Sequence, residues 1–316
     1  MSSSYQPRPA LGITATERET GLSKDTLRVW ERRYGFPRPD RDLHGERLYP
    51  AVQVDRLRLL KRLMDQGHRP GRLMAASEDE LQVLSAAATT PAQPLAAADP
   101  LSQQLLALVK GHDVPQLRSA LNQAMLRQGL QGFVVHTLSA LNRAVGDAWL
   151  SGEFEIFEEH LYTEQVQALL RQAIATLPAQ QDSGPRILLT TVPEEQHGLG
   201  LLMAEALMAL DGATCISLGT QTPLFDIAMA ARAQQADVVA LSFSGAYALR
   251  QVAPQLAQLR ALLPASVELW AGGTGVGRLQ PQPGVHLLPS IQQAQDALAA
   301  WRTARTGNAG DITPAA

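Results

Sequence analysis

The residue with the plainest chemistry is His197, in the stretch Val192-Pro193-Glu194-Glu195-Gln196-His197-Gly198-Leu199-Gly200. An imidazole with a carboxylate two residues before it is suited to hold a transition metal. One ring nitrogen binds while the other hydrogen-bonds the carboxylate, which fixes the tautomer and raises basicity. His197 is therefore the candidate metal ligand, with Glu195 as its partner in the same loop or through water. Gly198 and Gly200 remove side chains where a bulky ligand has to pass the backbone. Small residues recur at Ser242, Ser244 and Gly245, and again at Gly272, Gly273 and Gly275. A lone H-x-x-G is a weak signal, and a surface loop histidine would give the same pattern. Three such loops at neighbouring strand ends outline a slot.

The elements that must position these loops are legible from Arg186 onward. The apolar runs RILLTTV, ATCISLG, DVVALSFS and VELWAGG alternate with helix-like segments at Leu199 to Leu210, Pro223 to Gln234 and Ala248 to Leu263. A short strand near Val285 to Leu288 precedes a last helix from Ile291 to about Thr303. Continuous apolar strands alternating with helices predict a flavodoxin-like, doubly wound parallel sheet over residues 184–304, with a flexible tail at 305–316. Ligands in that architecture bind beyond the carboxyl ends of the strands. Cys215, the single cysteine, lies inside an apolar run and reads as core, which excludes an intramolecular disulfide and a multi-cysteine zinc site.

Upstream, residues 101–180 read as a four-helix bundle, with apolar positions such as Leu105, Leu106, Val109, Leu121, Phe133 and Leu141. Polar breaks fall at Gly111 to Val114 and Gly129 to Gly132. In the stretch VGDAWLSGEFEIFEEHLYTEQV, Trp149 reads as core, and Glu158, Glu159 and His160 read as a solvated helix start.

The N-terminal end carries different chemistry. Residues 1–76 hold 15 Lys and Arg against 9 Asp and Glu, whereas 77–316 hold 12 against 21, so a net charge of −3 hides a basic head. Ile13 to Gly35 forms two amphipathic segments joined by Gly21-Leu22-Ser23, a helix-turn-helix pattern with Ser23 as cap. Leu27 and Trp30 pack inward, while Lys24, Arg28, Arg32 and Arg33 supply cations for phosphates and base edges. A short strand at Arg47-Leu48-Tyr49 then forms a β-wing whose contacts are expected at Arg38, Arg41, Arg47 and Tyr49. A third helix runs from Ala51 to Met64, and residues 77–100 read as a proline-broken linker.

The run TLRVWERRYGFPRP, continued by RLYPAVQVDRLRLLKRL, resembles the MerR family of winged-helix regulators over about the first 75 residues. That resemblance implies binding of a double-stranded DNA operator as a dimer, often through a long coiled coil. Here the Pro/Ala-rich linker stands where that coil would begin, so self-association is expected to come from the bundle and sheet C-terminal to it. The segment from Leu101 to Arg302 resembles the cobalamin-binding modules of B12-dependent methyltransferases and mutases, in which a D/E-x-H-x-x-G loop supplies the lower cobalt ligand. The resemblance implies His197 on cobalt, Glu195 behind it and Gly200 beside the nucleotide tail. It further implies Ser242 and Ser244 at the benzimidazole, with Gly272 and Gly273 as the late double glycine.

With a MerR head, a bundle and this sheet, the whole chain resembles the CarH and LitR group of B12-dependent photoreceptor repressors, where a W-x9-E-H element meets the upper axial group. Trp149, Glu159 and His160 have that spacing. The resemblance implies that Trp149 stacks over an adenosyl group, that Glu159 accepts from its ribose hydroxyls and that His160 supports that face. It also implies a histidine after the tryptophan that captures cobalt after light; Leu150 stands there, and leucine cannot ligate a metal. The expected function is transcriptional regulation through adenosylcobalamin-controlled oligomerisation to a dimer or tetramer, with light acting on the cobalt–carbon bond. The alternatives are a regulator whose pocket senses another ligand or a protein partner, and a corrinoid carrier for methyl transfer. A fused DNA-binding head and the absence of a nucleophile–base constellation argue against the carrier and against an enzyme. With no run of eighteen apolar residues and a polar start at Met1 to Ala10, a cytoplasmic protein with no membrane partner is expected.

Overall fold

The computed structural model describes residues 9–65, 68–88, 100–151, 153–178 and 184–309. Two compact units emerge, and Gly146–Ile156 groups with the N-terminal one. No helix among the described residues is long and apolar enough to cross a membrane.

In the N-terminal unit, β1 (Leu11–Gly12) leads into α1 (Ile13–Thr20) and α2 (Lys24–Tyr34). The turn between the helices works because Gly21 takes the left-handed φ of 66° and Ser23 accepts from the Thr26 N–H at 3.2 Å. Gly35, at φ 65°, ends α2. The wing is β2 (Asp40–Arg41) and β3 (Arg47–Tyr49), with β3 central between β1 and β2. Next come α3 (Ala51–Asp65), α4 (Pro70–Ala75) and α5 (Glu78–Ala88). Leu27, Trp30, Tyr49, Leu57, Leu60, Leu73 and Leu81 share one core.

Two expectations change here. Residues 78–88 are not linker: Ser77 and Glu80 form a reciprocal capping box, the Glu80 N–H donating to Ser77 Oγ and the Ser77 N–H to Glu80 Oε2. Leu81 then anchors the helix in the core. The rest of the expected linker, 89–99, lies outside the described residues. Tyr49, expected at DNA, is fully buried, because strand alternation turns it inward from β3.

The second unit begins with α6 (Pro100–Lys110) and α7 (Val114–Gly132), the latter started by Asp113 accepting from the Gln116 N–H at 3.0 Å. The expected break at Gly129 to Gly132 is a kink within the helix: Gly129 alone leaves helical geometry, at φ 70°, and a π-helical turn at Phe133–Leu138 comes next. Then come α8 (Ser139–Ser151), whose last residues group with the first unit, and α9 (Ile156–Ala175).

The sheet comprises β4 (Arg186–Thr190), β5 (Thr214–Ser217), β6 (Val238–Ser242), β7 (Glu268–Gly272) and β8 (Val285–Leu288), all parallel. Their order is β5-β4-β6-β7-β8. The connecting helices are α10 (Leu199–Leu210), α11 (Leu224–Ala233), α12 (Leu249–Leu262) and α13 (Ile291–Ala309). One apolar cluster joins the sheet to α11 and α12, including Leu188, Val239, Leu269, Ile227 and Leu256; another joins it to α10 and α13 through Ile187, Leu189, Trp270, Leu201 and Leu298. Burial on both faces is why these strands read as unbroken apolar runs. Cys215 lies half-buried, and burial together with Glu205 pushes its thiol up to about 12. Helix α13 continues through Ala309, so 305–309 belong to the fold and only 310–316 lie outside the described residues.

Candidate functional site

Strand order reverses between β4 and β6, since the chain goes from β4 outward to β5 and then back across to β6. That switch point is where a doubly wound sheet opens a crevice beyond its strand ends. The loop after β4 is fixed there by two buried threonines. Thr191 Oγ1 donates to the Glu195 carbonyl at 2.6 Å and accepts from the Gln221 N–H at 2.8 Å. Thr190 Oγ1 lies 3.0 Å from the Gly219 carbonyl and 2.7 Å from Thr222 Oγ1. A turn closed by the Glu195 N–H on the Val192 carbonyl, with Glu194 at φ 69°, folds the next carboxylate inward.

Glu195 is 1% exposed, yet both of its oxygens are used. Oε1 accepts from the His197 backbone N–H at 2.9 Å and lies 2.7 Å from His197 Nδ1; Oε2 accepts from the Ser244 N–H and hydroxyl, each at 2.8 Å. Burial alone would raise this carboxyl group's pKa, but the hydrogen bonds from His197 and Ser244 outweigh it and hold the pKa below the usual range. The group is thus a carboxylate facing Nδ1, an acceptor that favours the proton on Nδ1 and so, in the neutral ring, the lone pair on Nε2. The imidazole itself is well exposed, its side chain 61% accessible. A buried carboxylate behind an outward-facing imidazole is an arrangement that can offer one nitrogen to a metal.

The remaining loop residues are close by. A Cβ on Gly200 would stand 3.4 Å from Ser242 Oγ, and one on Gly198 would stand 3.0 Å from Thr220 Cγ2. Gly273, at φ 94°, and Gly275 lie against the chain after β6, where a Cβ would fall 2.3 Å from the Phe243 carbonyl and 2.5 Å from that of Ser244. A Cβ on Gly272 would sit 3.4 Å from the Leu288 carbonyl. The late glycines are therefore required first by backbone packing, which seats Ser244 against Glu195. The structure brings Glu195, His197, Gly200, Ser242, Ser244, Gly272 and Gly273 to one edge of the sheet. Sequence reasoning missed the braces: Thr190, Thr191, the loop Gly219 to Thr222, and Tyr247, whose hydroxyl donates to the Pro193 carbonyl at 3.3 Å. The one available signal was a pair of threonines ending an otherwise apolar strand.

On the bundle, Glu159 Oε1 accepts from Thr163 Oγ1 at 2.9 Å, and Oε2 lies 3.6 Å from His160 Nε2. Trp149 is half-buried on the part of α8 that groups with the other unit. Glu158 is not a solvated residue: it is buried, with Lys110 Nζ at 3.0 Å and His112 Nε2 at 2.9 Å. Tyr162 on α9 donates to Asn142 on α8, whose amide meets Met203 Sδ at 3.0 Å on α10.

In the N-terminal unit, Lys24, Arg28 and Arg32 recur every four residues along one face of α2, with Arg28, Arg32 and Arg33 exposed. Arg38 is held by its backbone, which exchanges hydrogen bonds with the Gln53 side chain at 2.6 and 2.8 Å. Arg41 donates to the Gly45 carbonyl across the wing tip at 2.7 Å. Arg47 grips Glu31 of α2 at 2.8 Å, and that contact holds its guanidinium above the usual range. Arg47 thereby ties wing to helix.

The comparisons agree with this division. Residues 12–74 match the MerR HTH family regulatory protein description, and 101–174 match the B12 binding domain. The chain is 29% identical over 258 residues to the HTH-type transcriptional repressor CarH of Myxococcus xanthus, covering 80% of this chain and 85% of that one. It is 31% identical over 270 residues to the repressor CarA of the same organism, covering 84% and 87%. In fold, 62% of this chain superposes on 96% of the Methanosarcina barkeri monomethylamine corrinoid protein with a TM-score of 0.51 at 15% identity. A DNA-binding head of MerR type, a B12-binding bundle and a switch-point histidine thus occur in one chain, which belongs to the family of MerR-type transcriptional regulators with a B12-binding domain that includes CarH and CarA.

Proposed function

We propose that this protein is a transcriptional repressor whose oligomeric state, and so its hold on a double-stranded operator, is set by adenosylcobalamin. The observation that carries the reading is the Glu195–His197–Ser244 arrangement, which presents one imidazole lone pair at the sheet's switch point and supports it with a buried anion. Bound adenosylcobalamin supplies a cobalt that accepts such a lone pair and a cobalt–carbon bond that light breaks. His197 would hold the cobalt, while Gly200, Ser242 and Ser244 would leave room for and meet the nucleotide tail, with Gly272 and Gly273 packing the loops behind them. Glu159 and His160 would meet the adenosyl group, Glu159 as acceptor for its hydroxyls.

Lys24, Arg28, Arg32 and Arg33 take phosphates and base edges, with Arg38 and Arg41 on the backbone beside them. Residues 78–88 fold onto the head's own core, so assembly falls to the C-terminal unit. Joining several weak heads raises operator occupancy by effective concentration, without any change in the residues that touch DNA. The names of CarH and CarA as repressors support repression as the output. Sizing chromatography of the purified chain in the dark, with and without adenosylcobalamin, tests the reading. The holoprotein elutes as a dimer or tetramer and returns to the apo position after green illumination. Identical elution of apo and holo forms refutes ligand-controlled assembly, and identical elution of dark and lit holo forms refutes the light step alone.

A further inference from the structure

Glu158 lies in the first turn of α9, where a carboxylate is ordinarily stabilised in water by the helix N-terminus. It is instead 1% exposed. Its two oxygens are divided between Lys110 Nζ at 3.0 Å and His112 Nε2 at 2.9 Å, the two ends of the turn after α6. The turn is stiff. The Gly111, His112 and Asp113 N–H groups donate to the carbonyls of Ala107, Val109 and Leu108, and His112 takes a left-handed φ of 57°, unusual for a residue with a side chain. Phe157 adds a second grip, its ring 5.1 Å from the same imidazole at a tilt of 56°.

Two consecutive residues of α9 are therefore clamped on one side chain of another element. On a helix that turns about 100° per residue, fixing 157 and 158 fixes the direction of 159 and 160. A buried carboxylate gives up its hydration, and the best-attested use of such a group is to fix register rather than to add stability. Glu159, the next residue, is the acceptor assigned above to the adenosyl hydroxyls.

We propose that Glu158 is a positioning residue for upper-group discrimination: the Lys110–Glu158–His112 clamp sets the rotation of α9 so that Glu159 meets the adenosyl group, and thereby makes the chain prefer adenosylcobalamin to cobalamins with a small upper ligand. The inference rests on the proposed reading of Glu159. The readout is the ratio of dissociation constants for cyanocobalamin and adenosylcobalamin, measured in the dark on the full chain. The His197 side meets both forms alike, so a general loss of pocket structure lowers both affinities and leaves the ratio in place. Glu158→Gln lowers the ratio about tenfold, the low end of what supporting residues around a metal site cost. In a Glu159→Ala background the same substitution changes the ratio no further, because it acts only through Glu159. His112→Asn, which loosens the clamp from the other side, serves as the second variant if Glu158→Gln fails to fold. If Glu159→Ala lowers the ratio and neither clamp variant does, or if their effects persist in the Glu159→Ala background, the proposal is overturned and Glu158 is structural only. If Glu159→Ala leaves the ratio unchanged, the reading of Glu159 falls first and the proposal with it.

Discussion

Glu195 carries more of the site than its burial suggests. Its carboxyl group is held below the ordinary range because the hydrogen bonds from His197 and Ser244 outweigh desolvation. A group with a lowered folded pKa stabilises the fold above its unfolded value, and that contribution is lost as pH falls through the folded value. The stability difference between wild type and Glu195→Gln is therefore largest near neutral pH and shrinks below the ordinary carboxylate range, as denaturant midpoints along a pH series report. A difference independent of pH counters this. The same substitution lowers cobalamin affinity by about 10–100-fold.

Tyr49 and Arg32 make a second residue-scale contrast. The Tyr49 hydroxyl is buried with no hydrogen-bond partner among the described residues. Tyr49→Phe is thus neutral or stabilising by about 1 kcal/mol and leaves operator affinity intact, whereas Arg32→Ala reduces the slope of log affinity against log salt by about 1. Titrations of a duplex selected by the protein from a random pool measure both. The tyrosine was misassigned from sequence because an R-L-Y strand does not say which side faces the core. Arg47, two residues away, has a tie to the fold that the sequence did not show, since its partner Glu31 is 16 residues distant.

The elements of the sheet were legible almost to the residue, for a physical reason. Strands covered on both faces must be apolar throughout, and the glycines and polar residues between them leave few alternatives. Helix α10 begins and ends at Leu199 and Leu210, where the pattern put it. Helix α5 was hidden because one buried leucine, Leu81, carries its packing and its remaining surface resembles a linker. Its Ser77 cap makes a direct test: Ser77→Ala lowers the stability of the N-terminal unit by about 1 kcal/mol, read as a shifted unfolding midpoint, where a true linker would show no change. At Gly129 the sequence marked a break but not its form, a kink that depends on one backbone angle, and the buried Glu158 was hidden because its partners lie 46 and 48 residues away.

At the scale of the whole chain, the basic head and acidic remainder divide the work between operator and ligand. Each unit has its own core, so under the proposed function a ligand joining subunits through the C-terminal unit would alter DNA occupancy while leaving the reading helix as it is. The proposed function depends on His197 donating its lone pair to the cobalt. The most direct measurement is the absorption spectrum of the purified chain after incubation with adenosylcobalamin in the dark and desalting, beside that of His197→Ala. The account predicts a coloured wild-type protein with the spectrum of imidazole-ligated cobalt, and a variant that is colourless or carries the spectrum of cobalamin lacking that ligand. A colourless wild type, or a variant with an unaltered spectrum, would contradict it.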